Sequence, residues 1–135
     1  MKKNTESDLC IIPDAELDIM KSLWHADHAL CASEIARLLA EERGWKPATV
    51  HVLISRLIDR GYIYADRTNY VHRYTPLVPE ADYRRVESKS FLKRICDGSV
   101  SKMVASLIDV SDDMTSEDIA ELERILKLQK VSKRL

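Results

Sequence analysis

The stretch "WKPATVHVLISRLIDRGYI", Trp45 to Ile63, decides the fold of this chain. Val50, Leu53, Ile54, Leu57 and Ile58 recur at i, i+3, i+4, i+7 and i+8, the spacing of one apolar face of an α-helix. Pro47 suits a first turn, where its missing N–H costs nothing, and Gly61 suits the stop. A rotation of about 100° per residue places Ala48, His51, Val52, Ser55 and Asp59 opposite that stripe, flanked by Thr49 and Arg56. A helix face meant only for water would carry more Glu and Lys. Ala, Val and Ser instead allow close approach to another surface.

Upstream, "PDAELDIMKSLWHA" reads as a helix with Ile19, Met20, Leu23 and Trp24 as its stripe and Asp14 and Glu16 near its positive end. "CASEIARLLAEERG" reads as a second helix, with Ile35, Leu38 and Leu39 facing inward and Gly44 as its stop. Cys31 stands where a Ser or Thr cap is usual, three residues before Glu34. Downstream, "YIYADR" and "VHRYTP" are β-prone runs separated by "TNY", a hairpin signal. Three further helices are predicted after Pro79. The first, "EADYRRVESKSFLKRICDG", ends at Gly98. The second carries Val100, Met103, Val104, Leu107 and Ile108, and the third Ile119, Leu122, Ile125 and Leu126, with Thr115 and Asp118 as a capping pair.

Helix, helix, helix, hairpin is the winged helix-turn-helix order. The expected fold is therefore mainly α: a loose tail over 1–11, a winged helix over 12–78, and a helical dimerisation arm over 79–135. The arm's stripes are larger than a lone three-helix unit can bury, which predicts a homodimer with Val100, Met103, Val104, Leu107, Ile108, Ile119, Leu122, Ile125 and Leu126 at the interface.

A helix-turn-helix of this kind reads double-stranded DNA through the N-terminal half of its second helix. On that reading Val52 meets a thymine methyl, the one apolar feature of the major groove, while His51 and Ser55 bond base edges at close range beside Ala48. Thr49, Arg56 and Lys46 reach phosphates, helped by the free amides of the helix start. Arg67, Asn69, His72 and Arg73 flank the hairpin tip and face the backbone or the minor groove.

The whole chain of 135 residues carries a net charge of −1, so its overall charge does not argue for nucleic acid. The local distribution does. From Lys46 to Arg73 five bases oppose two acids, and from Arg84 to Arg94 five oppose one. The second run is expected to be a solvated helix face.

The composition is that of an ordinary globular chain, and no apolar run approaches the roughly 20 residues of a membrane helix. "MKKNTESDLC" has no apolar core of a secretory signal, so the expected location is cytoplasmic, without membrane insertion. Three widely spaced cysteines, Cys10, Cys31 and Cys96, suit free thiols. No nucleophile elbow or phosphate-binding loop is present, and three glycines leave little material for one, so no enzyme and no cofactor is expected. His25, His28 and Cys31 form H-x2-H-x2-C, which opens the alternative of a metal- or thiol-responsive regulator. A winged helix used only for protein contacts is a further alternative.

These features together resemble the BlaI/MecI penicillinase-repressor family. "IPDAELDIMKSLW" is similar to its opening helix, "WKPATVHVLISRLIDRGYI" to its recognition helix and turn, and "YTPLV" to its exit from the wing. "ESKSFLKRICDGSVSKMVASLID" and "SEDIAELERIL" are similar to its dimerisation helices. The resemblance implies a homodimeric repressor bound to an inverted-repeat operator, in many members controlling β-lactam resistance. It also implies inactivation by proteolysis downstream of a membrane sensor, at an Asn-Phe bond. This chain has Ser106 and Leu107 at the corresponding place. Pro47, Thr49 and Arg56 match the family pattern, whereas Lys46 replaces a usual serine. Ala48, His51 and Val52 depart from the commoner basic and hydroxyl residues, which implies a different operator sequence. The Cys-x-Cys pairs of related copper-responsive repressors are absent.

Overall fold

A computed structural model describes residues 9–133 of the chain, in the order α1 (Asp14–His25), α2 (Ala32–Arg43), α3 (Pro47–Asp59), β1 (Ile63–Asp66), β2 (Arg73–Pro76), α4 (Glu80–Arg94), α5 (Val100–Val110) and α6 (Ser116–Ser132). The chain divides into two compact units within α4, one through Ser90 and one from Phe91 onward.

The first unit is a winged helix built around the stripe of α3. Val50, Leu53, Ile54 and Leu57 are buried there with Ile19, Met20 and Leu23 of α1 and Ile35 and Leu39 of α2. Gly44 closes α2 at φ +61, where its N–H bonds the carbonyl of Ala40 at 2.9 Å. A side chain with a Cβ would be strained in that conformation. Trp45 packs partly on the core, with the guanidinium of Arg43 5.4 Å from its ring centroid, so the turn between α2 and α3 is anchored on both sides.

The hairpin pairs β1 and β2 antiparallel, from Ile63 opposite Pro76 to Asp66 opposite Arg73. Both strands are shorter than the β-prone runs that predict them, because the pairing stops at Asp66 and the next six residues form the tip. A third segment joins the sheet: Leu30, just before α2, exchanges two backbone hydrogen bonds with Tyr74, of 3.1 and 2.8 Å. One residue carries no strand pattern, so the sequence gives no sign of it.

An aromatic cluster closes the unit. The ring centroids of Tyr62 and Tyr83 lie 5.9 Å apart edge to face, and those of Trp24 and Tyr83 5.8 Å apart. The Trp24 indole donates to the carbonyl of Val78 at 2.8 Å, and the Ile12 amide donates to the Tyr83 hydroxyl at 3.0 Å. Burial raises both phenols, Tyr62 above the usual range and Tyr83 to about 12. Tyr83 thus ties the start of α4 into the winged helix. Of the tail expected over 1–11, residues 1–8 lie outside the described residues, while Leu9 packs on the core and the carbonyl of Cys10 accepts from the Tyr62 hydroxyl.

Two expectations are corrected. Leu38, read as inward, is 58% exposed, and the contact with the core is made by Ala32 and Ala36 beside Ile35 and Leu39. The buried stripe of α2 is rotated toward its small residues. The helix expected to run to Gly98 ends at Arg94; a turn follows in which Gly98, at φ +82, donates to the carbonyl of Leu92.

In the second unit Ser99 caps α5 through Lys102 N–H at 3.2 Å, and Thr115 caps α6 reciprocally with Asp118. No described residue of α5 or α6 is buried. The bases Arg84, Arg85, Lys89, Lys93 and Arg94 of α4 are exposed, with Arg84 paired to Glu80 at 3.0 Å.

Candidate nucleic-acid interface

The outer face of α3 follows from the burial of its inner one. With Val50, Leu53, Ile54 and Leu57 turned inward, Ala48, Thr49, His51, Val52, Ser55, Arg56 and Asp59 are all exposed. Val52 is 50% exposed although Leu53 beside it is only 5% exposed. The helix begins on Lys46 and Pro47, with no side chain capping its first amides. The open end, the small residues Ala48 and Ser55 and the apolar Val52 together make a face that can enter a groove and present a methyl, an imidazole and a hydroxyl to base edges.

A buried charge fixes the far end of this helix. Glu16 of α1 is 1% exposed, and Arg60 Nε, just past α3, lies 3.2 Å from its Oε1, close enough for an ion pair though misaligned for a hydrogen bond. The pair joins α1 to the exit of α3 and sets the turn into β1, where the amide of Tyr62 bonds the carbonyl of Leu57 at 2.8 Å. The sequence alone shows Glu16 only as a helix-dipole partner, since its ion partner stands far along the chain.

Lys46, Arg56 and Arg67 are exposed and have no ion-pair partner among the described residues. Arg73 differs. Its guanidinium lies 3.5 Å from Glu34 Oε1, a carboxylate that also accepts from the Cys31 amide at 3.0 Å. That amide bond, ahead of Arg73 and His28, holds Glu34 below the usual carboxylate range. Arg73 therefore ties the wing to the start of α2, and its charge is already shared.

His28 completes this cluster. Its Nδ1 lies 2.7 Å from Asp27 Oδ1, and its Nε2 lies 3.9 Å from Glu34. The bond to Asp27 is the main reason that His28 titrates above 6.5. His25, His28 and Cys31 are not gathered as a ligand set; among the described residues no three His, Cys, Asp or Glu side chains are placed to hold an ion. The metal-responsive alternative thus lacks its site.

At the wing tip Arg67, Asn69 and His72 are exposed as expected. Sequence reasoning passed over Tyr70 between them, which is 102% exposed. An aromatic residue in a loop bounded by two strand signals was the available clue.

The penicillinase repressor family matches residues 12–128. The penicillinase repressor of Bacillus licheniformis is 34% identical over 123 residues, covering 91% of this chain and 94% of that protein. The methicillin resistance regulatory protein MecI of Mammaliicoccus sciuri is 30% identical, with 85% of this chain and 92% of that protein covered. The solution structure of the DNA-binding domain of the repressor BlaI is 33% identical, with a TM-score of 0.48 over 53% of this chain and 87% of that one.

Proposed function

The chain belongs to the penicillinase repressor family, and on that footing we propose that it is a transcriptional repressor whose α3 reads operator DNA in the major groove. The observation that carries the reading is the exposed face of α3, with Val52 turned to solvent while its neighbour Leu53 is buried. Val52 meets a thymine methyl, His51 and Ser55 bond base edges, and Ala48 leaves room for the approach. Thr49, Lys46, Arg56 and Arg67 contact phosphates, with Asn69, His72 and Arg73 along the wing.

The partner of the second unit is another copy of this chain. Leu107, Ile108, Ile125 and Leu126 are 53, 45, 43 and 60% exposed, and Met103, Val104 and Leu122 are half-buried. A further helical unit covering α5 and α6, with Val100 and Ile119 in the same rows, removes this apolar area from water. A two-fold dimer then presents two α3 helices to an inverted repeat. Relatives named for penicillinase and methicillin resistance support control of β-lactam resistance genes; on this reading the repressor works in the cytoplasm, where those genes are. Induction by a sensor-protease system would act at Ser106 and Leu107, which lie within α5. There the Ser106 hydroxyl bonds the carbonyl of Lys102 at 2.8 Å, so cleavage requires local unwinding of the helix.

The test is a binding titration on a sequence selected by the protein from random duplexes. Affinity is expected to fall steeply with salt, and Arg56→Ala to remove about one phosphate contact from that slope. Val52→Ser is expected to lose roughly 1 kcal/mol at one symmetric thymine without a change in melting temperature. Uracil at that position should weaken the parent and leave the serine variant almost unaffected. A large drop in melting temperature with unchanged operator preference would remove Val52 from the interface.

A further inference from the structure

The wing tip holds a residue that neither the core nor the major-groove reading employs. Residues 67–72, "RTNYVH", contain no acid. Within them Tyr70 is 102% exposed and Val71 49%. The loop is held at both ends. Asp66 accepts from the Thr68 amide at 3.0 Å and from its hydroxyl at 2.7 Å, bonds that hold the carboxyl below its usual range. Asp66 and Arg73 stand opposite each other as the last register pair of the hairpin, and Tyr74, one residue further, is buried and bonded to Leu30. The nearest acid is thus occupied, and the ring stands on a fixed base with Arg67 and His72 on either side.

We propose that Tyr70 is a specificity-determining residue that enters the minor groove beside the site of α3 and selects A·T over G·C pairs there. The proposal rests on the reading of α3 as the DNA-contacting helix. A phenol wholly in water contributes nothing to this fold, but it suits that groove well. Its ring packs on the deoxyribose walls, and its hydroxyl donates to the adenine N3 or thymine O2 that A·T pairs present. The guanine amino group occupies the same space in a G·C pair. Arg67, three residues earlier, contacts a flanking phosphate and holds the tip at that step without reading the pair. Val71 adds apolar area of the kind that minor-groove proteins place against sugars.

The experiment uses the full chain and the duplex that it selects. Base pairs flanking the major-groove site are changed one at a time from A·T to G·C, and then to inosine·C, which restores the minor-groove edge without the amino group. The parent is expected to lose roughly fivefold at one symmetric flanking position with G·C, the worth of about one good polar contact, and to recover with inosine·C. Tyr70→Ser should bind all three duplexes alike at that position while keeping its preference within the α3 site. Tyr70→Phe should retain the packing and lose part of the discrimination. Both variants should melt with the parent, since the side chain lies wholly in solvent. Flank discrimination that persists in Tyr70→Ser, or that is absent from a parent still selecting its operator, overturns the proposal. A parent that selects no sequence overturns the reading of α3, and the role of Tyr70 with it.

Discussion

Helices α3 and α5 carry the same apolar spacing. Val50, Leu53, Ile54, Leu57 and Ile58 in one match Val100, Met103, Val104, Leu107 and Ile108 in the other, position for position. Val50 and Leu57 are 0% exposed, whereas Val100 and Leu107 are 61 and 53% exposed. The first stripe meets α1, α2 and the hairpin within its own unit. The second finds too little of its own chain to cover it. A stripe thus states that a face must be covered; it does not state by what. In α3 the cover is intramolecular and leaves the opposite face exposed, while in α5 the apolar face itself stays exposed.

The comparison breaks if the two stripes respond alike to mutation. Leu57→Ala should have the largest effect on folding, about 3 kcal/mol, because it leaves a cavity in a closed core. The loss should not depend on protein concentration, as denaturant titrations at two concentrations would show. Arg60→Ala should cost a comparable amount, on the order of 3 kcal/mol, since it strands Glu16 as an uncompensated buried charge. Glu16→Gln should cost less, because Arg60, 37% exposed at its side chain, can turn to water. Equal losses for the two would show that the pair is not what holds the exit of α3.

On the other side of the comparison, Leu122→Asp should leave the first unit folded and weaken dimerisation on the order of 100-fold. Sedimentation should show a monomer, and operator affinity should fall because two half-sites are no longer engaged together. A dimer that survives this change would place the interface elsewhere than α5 and α6.

The smallest effect concerns the loop between α1 and α2. His28 titrates above 6.5 in the folded chain, so its contribution to stability is complete below that value and is lost as pH rises through the folded-state pKa. Asp27, held below 3.8 chiefly by His28, contributes above that value and loses its share as pH falls through its own folded pKa. Both groups are exposed, so screening keeps the effect small. Melts at about pH 5.5 and about pH 8 should differ between parent and His28→Gln by on the order of one degree, with the parent's advantage at the lower pH.

Much of the exposed surface of α3 was legible in the sequence. The exposed face of α3, including Val52, follows from rotating one helix about its axis, which needs only the period and the opposite stripe. Leu38 shows the limit of that method. The pattern Ile35, Leu38, Leu39 is compatible with two rotations of α2, and the one adopted packs Ala32 and Ala36 on the core and leaves Leu38 exposed. The pairing of Arg73 with Glu34 was illegible for another reason: 39 residues separate them, and each looks like an ordinary surface charge until the wing folds back on α2. The role of Glu16 was hidden in the same way by the distance to Arg60.

By itself, then, the sequence determined the elements of this protein, their order, and which side of most of its helices is apolar, α2 excepted. These depend on local spacing, on caps such as Thr115 and on stops such as Gly44. Only the tertiary structure decided which apolar faces are covered, which charges are paired and which residues stand free. Burial and pairing are properties of two elements brought together, and no periodicity within one element contains them. Leu30 joined to Tyr74, Glu16 closed against Arg60 and Tyr70 left alone at the wing tip are all consequences of that meeting.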